Sequence, residues 1–565
     1  MHLGTTPFET ILTPRTNIDY RINLAFAHMP VVNVGNLEKP IYFPVDVCRV
    51  LPGQVSNGEL GTIQRQNIIS FSCRRPPDNY LSITRDGLKI MGIDRGMTEK
   101  MGIKVSQEMI AVPGRILNSP SIKYGRDSFT PRFGSWNLMN KKFCNGASCN
   151  NWAVLMVLQK GNGDDPTQSV NLLMRKSKEM GLMLSNPISR PFTVRYGPNF
   201  LEEMCSKFEE IKKNARLVLV LLPSGEEKIF SDIKYAGDVR VGILNHCCLS
   251  SKFIGGNDQY MANNAMKINL KLGGTCQGMD LPRSSRLLST GKTMVVGLDV
   301  THPTGTDPKE FPSIACIVAS VDNALGQWPG QPRIQAPRTE NIVFLDQMMR
   351  SCLERWQAKN GGQLPANILV YRDGVSEGQF DMVLREELPL IRKACHGLYR
   401  NPPAITVLVV GKRHNVRFFP TRMDDLDKTN NAINGTVVDR GVTRPIYWDF
   451  YLQAQAPLQG SARPAHYVVI HDEIFGNKNI NTEGPPADVL QELTHTICYM
   501  MGRCTRSISY STPAFLADRF CDRARRYVRA YFAHELEKPN SGDVHAPGQH
   551  VVGLHGSVAN SMVYI

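Results

Sequence analysis

Long apolar runs are missing from this sequence. The longest, such as Leu217 to Leu222, have only the length of a β-strand, whereas a membrane-spanning helix needs about 20 predominantly apolar residues. The first residues also lack a positively charged stretch followed by an apolar one, which a secretory signal would contain. We therefore expect no membrane association and no secretion, and an intracellular, reducing compartment.

Cysteine pairs with the spacing of a zinc site are missing as well. The 14 cysteines are scattered, and the nearest approach to a ligand pair, Cys144 and Cys149, has no second pair at a suitable distance along the chain. We interpret the cysteines as reduced structural thiols.

Acidic residues are outnumbered by basic ones. The 51 Asp and Glu stand against 65 Lys and Arg, which gives a formal net charge of +14. Such an excess favours a polyanionic partner. Many basic proteins bind no nucleic acid, however, so charge alone leaves the partner open.

The chain is too long for one hydrophobic core. Its 565 residues predict three or four domains at about 150 residues each. Residues 17–50 have the pattern of short strands and turns, and residues 51–140 that of a connector with little core, including a helix from Glu59 to Ser72. Strands and helices alternate from Trp152 to Leu222 and again from Thr293 to Val410, which predicts parallel sheets covered by helices. In the second block, a helix is predicted from Glu340 to Lys359.

Two predicted strands of the second block end in an acid, Asp299 and Asp373. Open α/β sheets bind ligands at this edge, although each acid alone could equally cap a turn. Glu340 and Asp518 are further candidates that composition and spacing cannot select. Four converging carboxylates repel one another unless they are protonated or neutralised, and divalent cations are the usual solution. Two Mg²⁺ ions about 4 Å apart could then activate a water for phosphodiester cleavage.

Basic residues near predicted helices form a second set of candidates. Lys267 and Lys271 are four residues apart and share one helix face, and Lys234 follows the aromatic Phe230 on another helix. A solvated charged face is the commoner explanation for such lysines. Phe230 could stack on a base, an interaction worth about 1–3 kcal/mol, but is more often part of a core.

Four motifs stand in an order and at a spacing that resemble those of the eukaryotic Argonaute family, with a fungal-like character. They are Gly297-Leu-Asp299-Val-Thr-His302-Pro303, Tyr371-Arg-Asp373-Gly-Val-Ser-Glu377-Gly-Gln-Phe380, Lys412-Arg-His414 and Arg503-Cys-Thr-Arg506-Ser-Ile-Ser509. The resemblance implies an α/β multidomain fold, with a Rossmann-like MID domain and an RNase H-like PIWI domain after a linker and a partial PAZ domain. The implied boundaries are 1–50 for partial PAZ, 51–145 for linker 2, 146–280 for MID and 281–565 for PIWI.

For the acids, the resemblance implies a catalytic tetrad of Asp299, Glu340, Asp373 and Asp518. Asp299, Asp373 and Asp518 are the implied ligands of two Mg²⁺ or Mn²⁺ ions, and Glu340 is implied to enter the site as a mobile acid. The implied activity is an endoribonuclease that leaves 5′-phosphate and 3′-hydroxyl ends.

For the basic residues, the resemblance implies two binding sets. The set implied to bind the guide 5′-phosphate is Phe230, Lys234, His246, Lys267, Lys271 and Arg523. The set implied to bind the guide and target backbones is Lys412, Arg413, His414, His466, Arg503, Arg506 and Ser509. Two positions depart from the family: Phe230 stands where Tyr is usual, and His246, where animal members commonly have Gln, could add pH dependence near neutrality.

The implied partners are a small guide RNA with a 5′-phosphate, a complementary target RNA and proteins of a silencing complex. The implied location is cytoplasmic, with a nuclear fraction left open. Family members normally carry an N domain, a first linker and a whole PAZ domain before this point, and Phe26 and His28 resemble part of a pocket for the guide 3′ end. The sequence therefore leaves two main hypotheses, a guide-loaded endonuclease and a cleavage-inactive guide-binding scaffold. A guide-independent RNase H-like nuclease is disfavoured, because it would not need the phosphate-binding residues.

Overall fold

The computed structural model describes residues 61–565 except 94–95, 97, 160, 162, 281–285, 306, 309, 323, 478–483 and 537–547, and, before residue 61, only 29, 31–33, 39–45 and 48. Phe26 and His28 lie outside the described residues. The chain divides into two compact units, Met1–Ser72 and Cys73–Ile565. In the first unit, strands β1 (Val32–Asn33) and β2 (Tyr42–Phe43) pair antiparallel, and a helix spans Thr62–Ser72.

The second unit contains the remaining described strands and helices. The strands are β3 (Arg115–Ile116), β4 (Ser121–Tyr124), β5 (Asp127–Phe129), β6 (Ser148–Cys149), β7 (Trp152–Leu158), β8 (Met183–Leu184), β9 (Phe192–Arg195), β10 (Leu217–Leu222), β11 (Leu244–Leu249), β12 (Gly278–Asp280), β13 (Thr293–Thr301), β14 (Ser313–Ala319), β15 (Gly330–Gln335), β16 (Asn367–Asp373), β17 (Ala404–Gly411), β18 (Thr436–Val438), β19 (Trp448–Gln453) and β20 (Ala465–Asp472). The α-helices are Pro76–Leu81, Leu88–Ile90, Thr167–Glu179, Phe200–Lys212, Glu227–Lys234, Ser250–Ile254, Asp258–Lys271, Arg286–Ser289, Leu345–Lys359, Phe380–Met382, Leu388–Cys395, Pro486–Ile497 and Thr512–Leu536. Shorter 3₁₀ turns are Glu99–Met101, Glu377–Gln379, Met423–Asp425 and Gln549–Val551, and π-helical segments are Ser82–Gly87, Tyr235–Val241 and Val383–Glu387.

The first α/β block forms a four-stranded parallel sheet in the order β11-β10-β7-β9. Every residue of β10 is buried, as expected for a parallel strand covered by helices on both faces. The strands predicted from Trp152 to Leu158 and from Leu217 to Leu222 are confirmed. The predicted helix from Thr167 to Met183 is shorter and ends at Glu179, because Gly181 turns the chain with φ 88° and Met183 enters β8.

The second block is built on a nine-stranded mixed sheet in the order β15-β14-β13-β16-β17-β20-β19-β18-β3. Its centre, β13, β16 and β17, is parallel, whereas β14, β15 and β20 join it antiparallel. The helix Thr512–Leu536 packs against β13 and β14. A Cβ at Gly297 would collide with the backbone of Pro513, so glycine allows the start of this helix to approach the central strand closely.

The segment predicted as a connector contributes strands to a three-stranded sheet and to the nine-stranded sheet. Strand β3 pairs with β18 at the edge of the nine-stranded sheet, and β4 lies between β5 and β12 in a three-stranded sheet. Within the described residues, no helix is both long and apolar enough to cross a bilayer.

The helix predicted from Glu340 to Lys359 begins five residues later, at Leu345. The preceding backbone is held by distant side chains instead of by helical hydrogen bonds. Arg372 donates to the Glu340 carbonyl at 2.7 Å, and the N–H of Ile342 donates to Glu387 at 3.0 Å. The starting point of this helix therefore depends on tertiary contacts.

Candidate functional site

Asp299 and Asp373 lie side by side at the carboxyl ends of two parallel strands. Leu298 of β13 is in register with Arg372 of β16, so the following residue of each strand is an aspartate. Both are buried, with 7% and 3% of their surface exposed. Asp518, from the helix Thr512–Leu536, is the most exposed of the three, at 41% of its side chain. The fold thus brings three of the four predicted acids to one edge of the sheet.

Lys412 supplies the positive charge next to these acids. Its Nζ lies 2.9 Å from Asp373 Oδ2 and 3.8 Å from Asp518 Oδ2. It also donates a 2.6 Å hydrogen bond to the Tyr510 hydroxyl, which donates to Asp518 Oδ2 at 3.2 Å. We call Asp299, Asp373, Asp518 and Lys412 the acid edge. Lys412, predicted as a backbone-binding residue, acts here as a counter-ion.

Negative charge remains in excess at the acid edge. Burial, followed by repulsion from Asp373 and Asp518, raises the pKa of Asp299 well above its ordinary value. Burial also raises the pKa of Asp373, although Lys412 opposes the change. Both shifts show that the ionised carboxylates are incompletely compensated.

The donor atoms of the acid edge suit Mg²⁺ or Mn²⁺, since both ions prefer carboxylate oxygens. In the described part of the chain, however, no group of three or more His, Cys, Asp or Glu residues is arranged to hold a metal ion. The chemistry of the donors therefore fits a divalent cation, while the ligand set Asp299, Asp373 and Asp518 stays a prediction.

Glu340 is bound by different partners. Its Oε1 lies 3.1 Å from Arg372 Nη2 and its Oε2 lies 2.7 Å from His302 Nε2. Arg372 is completely buried and forms a second ion pair with Glu387 at 3.0 Å, and His302 Nδ1 lies 2.8 Å from Ser313 Oγ. The structure therefore places Glu340 in contact with Arg372 and His302, apart from the counter-ion of the other three acids.

The residues that hold Glu340 were missed by the sequence analysis. Arg372 precedes Asp373 and His302 follows Asp299 by three residues, so both stand inside the motifs quoted above. Burial lowers the pKa of Arg372, but Glu387, Glu340 and Asp299 outweigh it and raise the value above that of free arginine. Arg372 directly before Asp373 and His302 three residues after Asp299 were the signals available in the sequence.

A second site contains buried cations that come from both α/β blocks. Lys234 donates to the Asn245 carbonyl at 3.2 Å, and Lys271 donates to the Val563 carbonyl at 2.7 Å. Arg523 donates to the same Val563 carbonyl at 2.6 Å and forms a 2.9 Å ion pair with Asp238. We call Lys234, Lys271, Arg523 and Asp238 the cation cluster.

The cation cluster carries excess positive charge in a buried place. Its members expose at most 7% of their surface. Burial and the neighbouring charge of Arg523 lower the pKa of Lys234. Burial, Lys234 and Arg523 lower that of Lys271 well below its ordinary value. Asp238 was not predicted, and its carboxylate also accepts hydrogen bonds from Tyr527 and Asn245 at 2.7 and 2.9 Å. An anionic ligand would restore the charged lysines, which is what a phosphate group can do.

The other predicted phosphate-binding residues border this cluster. Phe230 has its ring centroid 5.3 Å from Lys234 Nζ and 5.5 Å from Arg523 Cζ. Burial, followed by Arg503 and Arg519, lowers the pKa of Lys267. His246 is buried, and its Nε2 lies 2.9 Å from Asn264 Oδ1. Burial, then Lys267 and Lys271, lowers the pKa of His246 well below 6.5, which argues against titration of His246 near neutrality in the guide-free chain.

The predicted backbone-binding residues make several different contacts. His466 stacks on Tyr451 with centroids 4.2 Å apart and lies 2.7 Å from Asp449, and the His414 ring lies 5.3 Å from the same tyrosine. Arg503 instead lies close enough to Lys267 for its positive charge to lower the pKa of that lysine. Lys412 belongs to the acid edge.

The remaining members of this set are Arg413, Arg506 and Ser509. Arg413 is exposed, Arg506 pairs through its backbone with Ser135, and Ser509 is half-buried one residue before Tyr510. Their role in RNA binding stays a prediction.

Comparison with known families decides the relationship. A family model described as the Piwi domain matches residues 217–529, and one described as the Argonaute linker 2 domain matches residues 78–124. The chain belongs to the Argonaute family. The Piwi match begins inside the segment predicted as MID, and the predicted domain boundaries stay predictions.

Similar proteins agree with this assignment. Protein argonaute 18 of Oryza sativa subsp. japonica is 35% identical over 91% of this chain and 48% of its own length. The crystal structure of Kluyveromyces polysporus Argonaute with a guide RNA is 26% identical, with a TM-score of 0.82 over 100% of this chain and 65% of that one. The N. crassa QDE-2 AGO MID-PIWI domains are 30% identical, with a TM-score of 0.55 over 75% of this chain and 100% of that one.

These matches confirm the predicted α/β multidomain fold with MID and PIWI domains. The Argonaute chain spans about half the length of the curated relatives it matches.

Proposed function

We propose that this Argonaute chain holds a small guide RNA by its 5′-phosphate in the cation cluster and cuts the complementary RNA at the acid edge. The observation that carries the proposal is the adjoining register of Asp299 and Asp373, with Asp518 brought to the same edge by a helix. The similarity to an Argonaute crystallised with a guide RNA supports the guide as partner.

In the cation cluster, Lys234 and Lys271 would hold the terminal phosphate. Each now donates to a backbone carbonyl, and an ammonium group has three donors, so phosphate can be added without breaking these bonds. Asp238 fixes the orientation of Arg523 through their ion pair. Charge-assisted hydrogen bonds of this kind are short and strong.

At the acid edge, Asp299, Asp373 and Asp518 would hold two Mg²⁺ or Mn²⁺ ions, with Glu340 as an added acid. When bound, these ions would supply an activated water and stabilise the leaving oxygen. The residues themselves position the charge: β13 and β16 fix Asp299 and Asp373, and Tyr510 orients Asp518. Base pairing with the guide would select the target.

A cleavage-inactive, guide-binding scaffold is the second candidate. It is favoured by the ion pairs of Glu340 with Arg372 and of Lys412 with Asp373, because the four acids are not assembled in this arrangement. Silencing-complex proteins would then be the partners that produce the effect.

The two candidates differ in one assay. The chain is loaded with a 5′-phosphorylated RNA and mixed, in excess, with an end-labelled complementary RNA and Mg²⁺. We expect cleavage at a single phosphodiester, with 5′-phosphate and 3′-hydroxyl products, and none with a non-complementary RNA. Stable loading without cleavage would support the scaffold, and cleavage without a guide would reject both candidates.

A further inference from the structure

Lys412 connects a buried carboxylate with the surface of the protein. It directly follows strand β17, which pairs in parallel with β16 and has Val410 opposite Asp373. The lysine therefore leaves the sheet at the same carboxyl edge as the acids. Its Nζ lies 2.9 Å from Asp373 Oδ2, yet 31% of its side chain is exposed, against 5% for that of Asp373. Lys412 can accordingly be reached by a ligand that does not touch Asp373.

A tyrosine supports the ammonium group of Lys412 independently of Asp373. The Nζ lies 3.9 Å from the centroid of the Tyr510 ring and donates to its hydroxyl at 2.6 Å. Tyr510 is buried, and its hydroxyl donates in turn to Asp518. The ring attracts a cation without carrying a charge of its own. Lys412 can therefore leave Asp373 and still keep part of its contacts at the acid edge.

The ammonium group and a divalent cation would repel each other at Asp373. An ion such as Mg²⁺ binds carboxylate oxygens at about 2.0–2.1 Å. With the ammonium 2.9 Å from the same oxygen, the two positive charges would be at most about 5 Å apart. This separation is shorter than the ~8 Å over which physiological salt screens charges. In the guide-free chain, Lys412 thus opposes the cation that the acids attract.

We propose that Lys412 exchanges Asp373 for a phosphate of the guide backbone, and that this exchange couples guide binding to divalent-cation binding at the acid edge. The inference rests on the proposed function, which supplies both the guide RNA and the metal ions. An ammonium group on a flexible four-carbon stem forms strong, charge-assisted hydrogen bonds with phosphate. Once Lys412 binds a phosphate, Asp373 loses its counter-ion and becomes available to the cation.

The coupling acts in both directions. If guide binding raises the affinity for the cation, the cation raises the affinity for the guide by the same factor. The ion pair of Lys412 with Asp373 then belongs to the guide-free chain. The acid edge holds its cations weakly until a guide is loaded.

Mn²⁺ is the probe for this coupling, because the electron paramagnetic resonance signal of the free aqueous ion decreases as the ion binds. It is titrated into the full chain with and without a 5′-phosphorylated guide RNA, and binding to the RNA alone is subtracted. Target RNA is omitted, so that no target phosphate can act as a ligand. The guide should raise the Mn²⁺ affinity of the unchanged chain about tenfold.

Lys412→Met removes the competing charge. Without guide, this variant should bind Mn²⁺ about tenfold more tightly than the unchanged chain. Adding the guide should then change its Mn²⁺ affinity less than about twofold. Lys412→Arg keeps the positive charge and, without guide, should bind Mn²⁺ no more tightly than the unchanged chain.

Two further variants make the test specific. Asp373→Asn removes a proposed ligand, so it should lose the Mn²⁺ site that the guide-loaded chain shows. Lys141→Met is the matched control, because Lys141 also lies over an aromatic ring, 4.7 Å from the centroid of Phe129, and it should behave like the unchanged chain. Thermal unfolding verifies that every variant is folded, and a folding defect would not produce the tighter binding expected of Lys412→Met.

The outcomes separate the exchange from the proposed function. If no Mn²⁺ site sensitive to Asp373→Asn is found with or without guide, the proposed metal site fails and the exchange fails with it. If that site exists but Lys412→Met binds Mn²⁺ no more tightly than the unchanged guide-free chain, the exchange is overturned and the acid edge stands. An equal rise in affinity on guide loading in both chains also overturns the exchange, because the guide would then act without Lys412.

Discussion

The acid edge and the cation cluster are opposite in charge and similar in construction. The acid edge combines three carboxylates with the ammonium group of Lys412, and the cation cluster combines three cations with the carboxylate of Asp238. In each, burial and like charges shift pKa values away from the charged form. Each site thus contains one opposite charge and keeps an excess that a ligand can neutralise.

The two regions differ in whether their charged side chains already have partners that compensate the charge. Each cation of the cluster already bonds to a carbonyl or to Asp238, whereas burial and two neighbouring carboxylates raise the pKa of Asp299 well above its ordinary value. The hydrogen bonds of the cluster are consequently in place before a ligand arrives, whereas the acid edge keeps a carboxylate whose charge is incompletely compensated.

One helix connects the two regions. Asp518 and Arg523 both lie on Thr512–Leu536, and five residues of α-helix separate them by about 7.5 Å along the axis. A rigid helix shared by the two sites would fix where an anchored RNA strand meets the acids. This expectation makes each site a control for the other, because a substitution that acts locally should affect only one of them.

The largest expected effect comes from Asp373→Asn at the acid edge. Losing one ligand of the proposed metal site should slow the proposed cleavage at least ~10³-fold, while guide binding should stay unchanged because the cation cluster is intact. Single-turnover cleavage and guide retention measure the two properties in parallel. Asp381→Asn is the control, since its exposed carboxylate pairs with the exposed Arg385. Cleavage at the unaltered rate in Asp373→Asn would remove the acid edge from the proposed mechanism.

Glu340→Gln tests whether the acid edge acquires a fourth acid. The amide can still accept a hydrogen bond from Arg372, but it cannot supply a negative charge, so cleavage should fall by ~10²-fold or more if Glu340 joins the site. Glu386→Gln, which changes a neighbouring exposed carboxylate that bonds to Asn341, should cut normally. Normal cleavage by Glu340→Gln would instead mean that Glu340 remains with Arg372.

At the cation cluster, Lys271→Met should weaken binding of a 5′-phosphorylated RNA. A hydrogen bond to a charged group contributes about 1.5–3 kcal/mol, so the loss should be roughly 10- to 150-fold. The same RNA with a 5′-hydroxyl should be affected little. Lys178→Met removes an exposed lysine and should change neither affinity. Equal losses for both RNAs would show that Lys271 acts through general charge or folding and not through the terminal phosphate.

The pH dependence of stability gives a further, smaller effect. The folded chain holds the pKa of Lys271 well below 10.5, so between the lowered value and 10.5 the unfolded chain binds more protons. The contribution of Lys271 to the stability of the guide-free chain should therefore rise with pH through this window, measured as the difference between the unchanged chain and Lys271→Met. Binding of a 5′-phosphorylated RNA, which prefers the charged lysine, should weaken through the same window. Thermal unfolding of both chains, with and without RNA, measures the two trends. A difference between the two guide-free chains that falls as pH rises would contradict the direction of the shift.

Some of these features follow from the sequence and others do not. Asp299 and Asp373 could be placed at one edge because each ends an apolar, strand-length run, and such runs pair in parallel when helices separate them. The start of the helix near Glu340 could not be predicted, because Arg372 and Glu387 hold that backbone from other elements.

Asp238 and Arg526, at and beside the cation cluster, are two further residues whose contacts could not be predicted from the sequence. Asp238 lies in a π-helical segment that no local pattern indicated, and its importance depends on Arg523, which is distant in sequence. Arg526 reaches Phe230 only because two helices from different blocks pack together. Charge pairs that depend on long-range packing have no periodic signal in the chain.

The smallest expected effect is that of Phe230→Tyr, which tests whether the cation cluster has room for one more donor. The new hydroxyl would stand on a ring that lies 5.3 Å from Lys234 and 5.5 Å from Arg523, within the region where the phosphate is expected. One added hydrogen bond should strengthen binding of a 5′-phosphorylated RNA by ~0.5–1 kcal/mol, or about two- to fivefold. A 5′-hydroxyl RNA is the control and should gain little, and Phe230→Leu, which removes the ring, should weaken both. Weaker binding of the phosphorylated RNA by Phe230→Tyr would mean that Lys234, Lys271 and Arg523 already fill the space around the phosphate. The cation cluster would then have no room for a further donor, in contrast to the acid edge, where negative charge remains uncompensated.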